Sequence, residues 1–160
     1  MSDEPTRDRL SIVTLDDASL PPASRNVEQE RRIALFDLAE SNSFAIIGVD
    51  AGPYTLALAM DDARLVMNLS GANGAHVLTH HLSLSSMRKL IKDYFLICES
   101  YYAAIRDASP SQIEAIDMGR RGLHNEGAEV LSRALETKFK VDSETARRLF
   151  TLICALHVRN

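Results

Sequence analysis

The chain lacks any run of about 18 apolar residues that could span a bilayer, and its start, MSDEPTRDRL, has neither the basic nor the apolar region of a signal peptide. A cytoplasmic protein without a membrane segment is expected. Only two cysteines occur, Cys98 and Cys154, too few for a disulfide framework or a zinc-type spacing. Both sit in apolar helical patterns, KDYFLICESYY and RRLFTLICALH, where a thiol acts as a small hydrophobe, so a reduced, buried pair is expected. Excess positive charge is also missing. A net charge of -4 and a pI near 5.7 argue against broad nucleic-acid or anionic-membrane binding and leave only a local basic patch. No Walker A loop, GxGxxG after a strand or GxSxG elbow is present, so no ready-made nucleotide or hydrolase chemistry is legible.

What is present has the size and balance of one globular domain. The 160 residues are 46% hydrophobic and 25% charged, far from the composition of disorder. Residues 1–9 read as a frayed tail and 10–160 as a single α+β domain. The N-terminal half alternates with period two and the C-terminal half with period 3.6. This predicts a short antiparallel β-meander packed against about three C-terminal helices, with one N-terminal helix in addition.

Leu10 to Leu15 forms a short strand, and Pro21-Pro22 then breaks regular structure. A helix follows to about Glu40, with Asn26 as N-cap, Gln29 three residues on, and Ile33, Phe36 and Leu38 on its buried side. Phe44 to Val49 is a short apolar run. Tyr54, Leu56, Leu58 and Met60 alternate with small residues and share one sheet face. Asp61-Asp62 turns the chain into Arg64 to Leu69. Gly71 to Gly74 then offers a hairpin into His76 to Leu82.

Ser83 or Ser85 is the expected cap of a long helix whose stripe from Leu84 to Ile105 includes Tyr94, Tyr101 and Tyr102 as core residues. Ser109, with Pro110 at the first helical position and Gln112 completing a capping box, starts the next. The last begins near Asp142 or Ser143 and is apolar almost all round from Leu149 to Leu156, so its second half should be buried.

Polar chemistry concentrates in SPSQIEAIDMGRRGLHNEG, Ser109 to Gly127. Glycines there would let a backbone approach a ligand, arginines bind phosphate or carboxylate, and His124 with Glu126 exchange protons. The plainer alternative is a helix with its arginines solvated or paired to Asp117 and Glu126. On a continuous helix His124 and Glu126 would point about 200° apart and could not serve one substrate. GRRG also fits the GxxG loop of a KH domain, but the order of elements does not. His76 and His80, about 13 Å apart along a strand, are too distant to share an ion, and His80 and His81 face opposite ways. Cross-strand packing is the better account, and no metal or cofactor is expected. His157 reads as a helix-end residue.

The segments KDYFLICESYYAAIRDASPSQIEAIDMGRRGLHNEGAEVL (Lys92 to Leu131) and SETARRLFTLICALHVR (Ser143 to Arg159) resemble a bacterial uncharacterised protein family of the UPF type. LSIVTLDDASL, ALFDLAESNSF and GPYTLALAM extend the resemblance through the N-terminal half. It implies a stand-alone cytosolic protein of about this length, a domain of unknown function with no catalytic residue or cofactor to carry over.

The preferred expectation is a non-enzymatic interaction or regulatory module. Its partner-facing patch comprises Arg120, Arg121, His124, Asn125 and Glu126, extended by Arg147 and Arg148 if their helices are neighbours. The partner would be another protein or a small anionic ligand. The alternative is a small enzyme for a phosphorylated or carboxylated substrate, with arginines on the anion and His124 or Glu126 as acid or base.

Overall fold

The most apolar segment organises the architecture. Helix α4, Ser143–Leu156, buries almost every side chain from Leu149 to Leu156, and only Thr151 in that run is partly exposed. Such a helix needs neighbours on all sides. α1 (Arg25–Glu40) and α3 (Pro110–Leu135) flank it, and α2 (Arg88–Asp107) packs along α3. The computed structural model describes residues 7–157.

Alternation makes the sheet. In β3 (Tyr54–Asp61), Tyr54, Leu56 and Leu58 are fully buried, and in β4 (Arg64–Ser70) so are Leu65, Met67 and Leu69. The antiparallel register sets Leu56 opposite Leu69 and Leu58 opposite Met67, so two apolar faces coincide. β5 (His76–Ser83) completes the expected meander. β1 (Leu10–Leu15) adds to the other edge of β3 in parallel, giving the order β1-β3-β4-β5. Part of the Phe44 to Val49 run, β2 (Phe44–Ile46), pairs with β6 (Phe139–Val141), a contact across nearly a hundred residues that no local pattern announces. On β5, His80 meets the Phe139 ring edge-on at 5.3 Å, and His76 joins a chain through Thr79 to Asn68.

Asn42 ties the end of α1 to the edge of the sheet. Its amide nitrogen donates to the carbonyls of Leu38 and Leu10, and its oxygen accepts the Leu10 N–H. Residues 1–6 of the expected tail lie outside the described residues. Asp8 and Arg9 carbonyls accept from the N–H groups of Phe44 and Tyr54.

Several local expectations are corrected. The cap of α1 is Ser24, whose hydroxyl accepts from the Val27 N–H, rather than Asn26. Its buried residues are Arg31, Ala34 and Leu38, while Ile33 and Phe36 are 51% and 62% exposed. The rotation follows from Arg31, whose guanidinium finds main-chain carbonyls on Ala155 of α4 and on Pro21. Neither Ser83 nor Ser85 caps α2. A 3₁₀ turn at Ser85–Met87 precedes it, and Met87 occupies the cap position without a side-chain bond. The α2 stripe buries Ile91 and Ala104 and packs Tyr94 and Phe95 against the core, but Tyr102 and Ile105 are exposed. Cys154 is buried and Cys98 only half-buried, both as free thiols.

The start of α3 matches expectation in full. Ser109 accepts from the Gln112 N–H, Gln112 returns the bond, and Pro110 holds the first position. The helix then runs unbroken through Gly119, Gly122 and Gly127. Close packing explains two of these glycines. A Cβ on Gly127 would lie 2.2–2.5 Å from Phe150 ring atoms of α4, and one on Gly119 would be 2.8 Å from Ile97 Cδ1 of α2. At Gly122 nothing stands within 4 Å.

Gly127→Ala is therefore expected to destabilise by about 1–3 kcal/mol through overpacking against Phe150, about 2–4 °C per kcal/mol in melting temperature for a chain of this size. Gly122→Ala should stabilise by up to about 1 kcal/mol through helix propensity. Thermal unfolding of the two variants checks the contrast, and equal shifts would refute it.

Candidate functional site

A helix turns successive residues by 100°, so a polar cluster that is compact in sequence is dealt out around the axis of α3. Arg120 and His124 turn toward neighbouring helices. Arg121, Asn125 and Glu126 are exposed. The glycines open no loop, which removes the KH-type reading of GRRG along with any backbone cradle.

Both arginines share one carboxylate. Arg120 makes two bonds to Asp117, with its guanidinium carbon 4.5 Å above the Tyr101 ring of α2, and Arg121 reaches the other oxygen of Asp117 at 3.0 Å. The Arg120 hydrogen bond is the foremost cause holding the Asp117 carboxyl below its ordinary range. Two guanidinium groups on one carboxylate leave one positive charge in excess.

His124 brackets α3 to α4. Its Nε2 lies 2.7 Å from Thr151 Oγ1 and 3.2 Å from the Arg147 carbonyl, while Thr151 donates to that same carbonyl at 3.1 Å. A carbonyl only accepts, so the contact with Arg147 is a hydrogen bond in the Nε2–H tautomer, which leaves the ring's lone pair on Nδ1. The His124 ring stacks on Tyr94 at 5.5 Å, and burial pushes its pKa below the ordinary value. Burial also raises the Cys98 and Cys154 thiols and the Tyr94 hydroxyl, so no activated thiolate lies beside this imidazole.

The proposed extension divides. Arg147 stands by His124 and reaches Glu144 at 3.9 Å, whereas Arg148 donates to the Ser41 carbonyl at the end of α1, on another side of α4. Glu126 points about 200°, just over half a turn, from His124, so the two do not converge on one substrate.

Glu114, Met118, Arg121 and Asn125 follow one another at intervals of four, three and four residues and form a single exposed stripe along α3. No residue from Pro110 to Glu126 is buried, and Met118 is 63% exposed. Sequence reading missed Met118 because polar residues drew attention to the segment. The 3.6-residue spacing would have found it. Arg31 was missed as well, since a cation between apolar residues reads as the solvated face of a helix. Among the described residues, no three His, Cys, Asp or Glu side chains are placed to share a metal ion, and no helix is long and apolar enough to cross a membrane.

The protonation of His124 has a measurable consequence. Its pKa in the fold lies below the ordinary 6.5, so the unfolded chain binds more protons between the two values. The stability involved is complete above 6.5 and is lost as pH falls toward the lower value. His80 is lowered as well, foremost by burial, and acts in the same direction. The denaturant midpoint of the parent should therefore fall more steeply than that of His124→Gln from about pH 7 to about pH 5. Parallel curves would overturn this account.

Comparison with known proteins gives a consistent result. The model of the family described as "Uncharacterised protein family (UPF0262)" matches residues 7–159. A UPF0262 protein of Azorhizobium caulinodans is 60% identical over 159 residues, covering 98% of each chain. One of Xanthobacter autotrophicus is 58% identical over 161 residues, again covering 98% of each. One of Caulobacter vibrioides is 55% identical over 151 residues, covering 94% of each. No solved structure matches the chain.

Proposed function

We propose that this chain, which belongs to the uncharacterised protein family UPF0262, is a cytoplasmic, non-enzymatic interaction or regulatory module whose α3 stripe docks a helix of another protein. The observation that carries the reading is the unburied first two-thirds of a 26-residue helix, which holds Met118 outward. A helix segment that adds no fully buried side chain to the core yet shows a large apolar side chain between polar ones has the composition of an interface. Its positions follow the spacing by which one helix grips another.

Charge selects the partner. The positive charge left over where Arg120 and Arg121 share Asp117 suits an acidic residue on the incoming helix, with Asn125 offering an amide beside it. Arg120 and His124 hold the surface in place from beneath. Their part is positioning, by way of Asp117, Tyr101 and Thr151. The enzymatic alternative has less behind it. It needs an acid and a base converging on one substrate, and Glu126 does not converge on His124, whose Nε2 faces Thr151 and the Arg147 carbonyl within the fold.

A photo-crosslinking amino acid placed at Met118 or Asn125 in cells is expected to give one discrete adduct. The adduct should disappear on Arg121→Glu, and also on Arg121→Gln, which removes the positive charge without setting a second carboxylate beside Asp117. Adducts of the same pattern from Ile47, an exposed control site distant in sequence, or adducts indifferent to Arg121→Glu, would refute the proposal, as would their absence at both α3 positions.

A further inference from the structure

A second region, on α1 and β1, has features that the α3 surface does not use. Arg31 is only 7% exposed, and its hydrogen bonds go to main-chain carbonyls alone, from Nε to Ala155 at 3.0 Å and from Nη2 to Pro21 at 3.3 Å. A guanidinium has five N–H donors, so three are left without a protein acceptor. None of the ion pairs among the described residues involves Arg31. A buried cation is retained only where negative potential or an anion offsets its lost hydration. The last turn of α4 supplies part of that potential through the Ala155 carbonyl.

Arg31 also lines a half-open cavity of about 760 Å³, room enough for a small organic ligand. Its apolar wall includes Val13 and Leu15 of β1, Leu20 and Leu35, and Arg32 stands next to Arg31 along α1. A buried arginine without an ion pair and a half-open cavity with one apolar wall are separate observations, and they coincide.

We propose that this cavity binds an organic monoanion: a carboxylate carried on an apolar body, with the carboxylate on Arg31 and the body against Val13, Leu15 and Leu20. A planar carboxylate matches the guanidinium fork. Asp17 and Glu28 also line the cavity and set the ligand's charge. A monoanion reaches Arg31 with modest repulsion from these two acids, whereas a phosphate dianion meets twice the repulsion and has no apolar body to bury.

The test uses the full chain labelled with ¹⁵N, at neutral pH and constant ionic strength, titrated separately with hexanoate, hexan-1-ol and inorganic phosphate. Hexanoate is expected to shift the amides of Val13, Leu15, Leu20 and Arg31 saturably, and to bind at least about tenfold more tightly than hexan-1-ol. Phosphate should give no saturable shift there. Arg31→Met should abolish the preference for hexanoate over the alcohol. If that variant does not fold, Leu35→Trp keeps the Arg31 bonds, puts bulk on the apolar wall where the ligand body would lie and should weaken hexanoate binding at least about tenfold. The proposal is overturned by non-saturable hexanoate shifts, by equal affinity for hexan-1-ol, by tighter binding of phosphate, or by a Leu35→Trp protein that binds hexanoate like the parent.

Discussion

A helix that is apolar on nearly every side is stable in water only when it is enclosed, and most of this structure follows from enclosing α4. Its side chains from Leu149 to Leu156 need contacts in every direction, and the surrounding elements are joined to it one by one. Gly127 lets α3 come close enough to lie on Phe150. Arg31 fastens α1 to the Ala155 carbonyl, and Arg148 reaches back to Ser41 at the end of α1. His124 holds α3 through Thr151, the one residue of that run left partly exposed. These polar bonds are directional where apolar contact is not, so they fix the rotation of each flanking helix about its own axis.

Legibility in the sequence followed the range of the interactions. The capping box of α3 is complete within Ser109 to Gln112, and the alternation of β3 within seven residues, so both were readable. The burial of α4 was readable because no choice of face was involved. The face of α1 was not. Ile33 and Phe36 looked like core, but two carbonyls, ten and more than a hundred residues from Arg31, outweighed them. The β2 and β6 pairing and the parallel addition of β1 depend likewise on distant partners.

The candidate residues illustrate a related limit. Arg120 to Glu126 are neighbours in sequence, yet a helix separates them into those directed at Asp117, Tyr101 and Thr151 and those directed at solvent. Whether the segment was loop or helix decided which residues could act together, and three glycines made a loop plausible. Two of the glycines, Gly127 and Gly119, answer to Phe150 and Ile97 on two other helices, and no pattern within α3 reveals that.

Asn42 imitates a strand for one residue. By offering both an acceptor and a donor to Leu10, its side chain occupies the outer hydrogen-bonding positions at the start of the parallel edge of the sheet. An open edge is where one chain can template another. Here the first rung is already taken by the same amide that closes the last turn of α1, so protection against intermolecular strand pairing is coupled to the integrity of a helix end. Fraying of α1 at Leu38 would release the edge as well, which links local helix melting to aggregation through a single side chain.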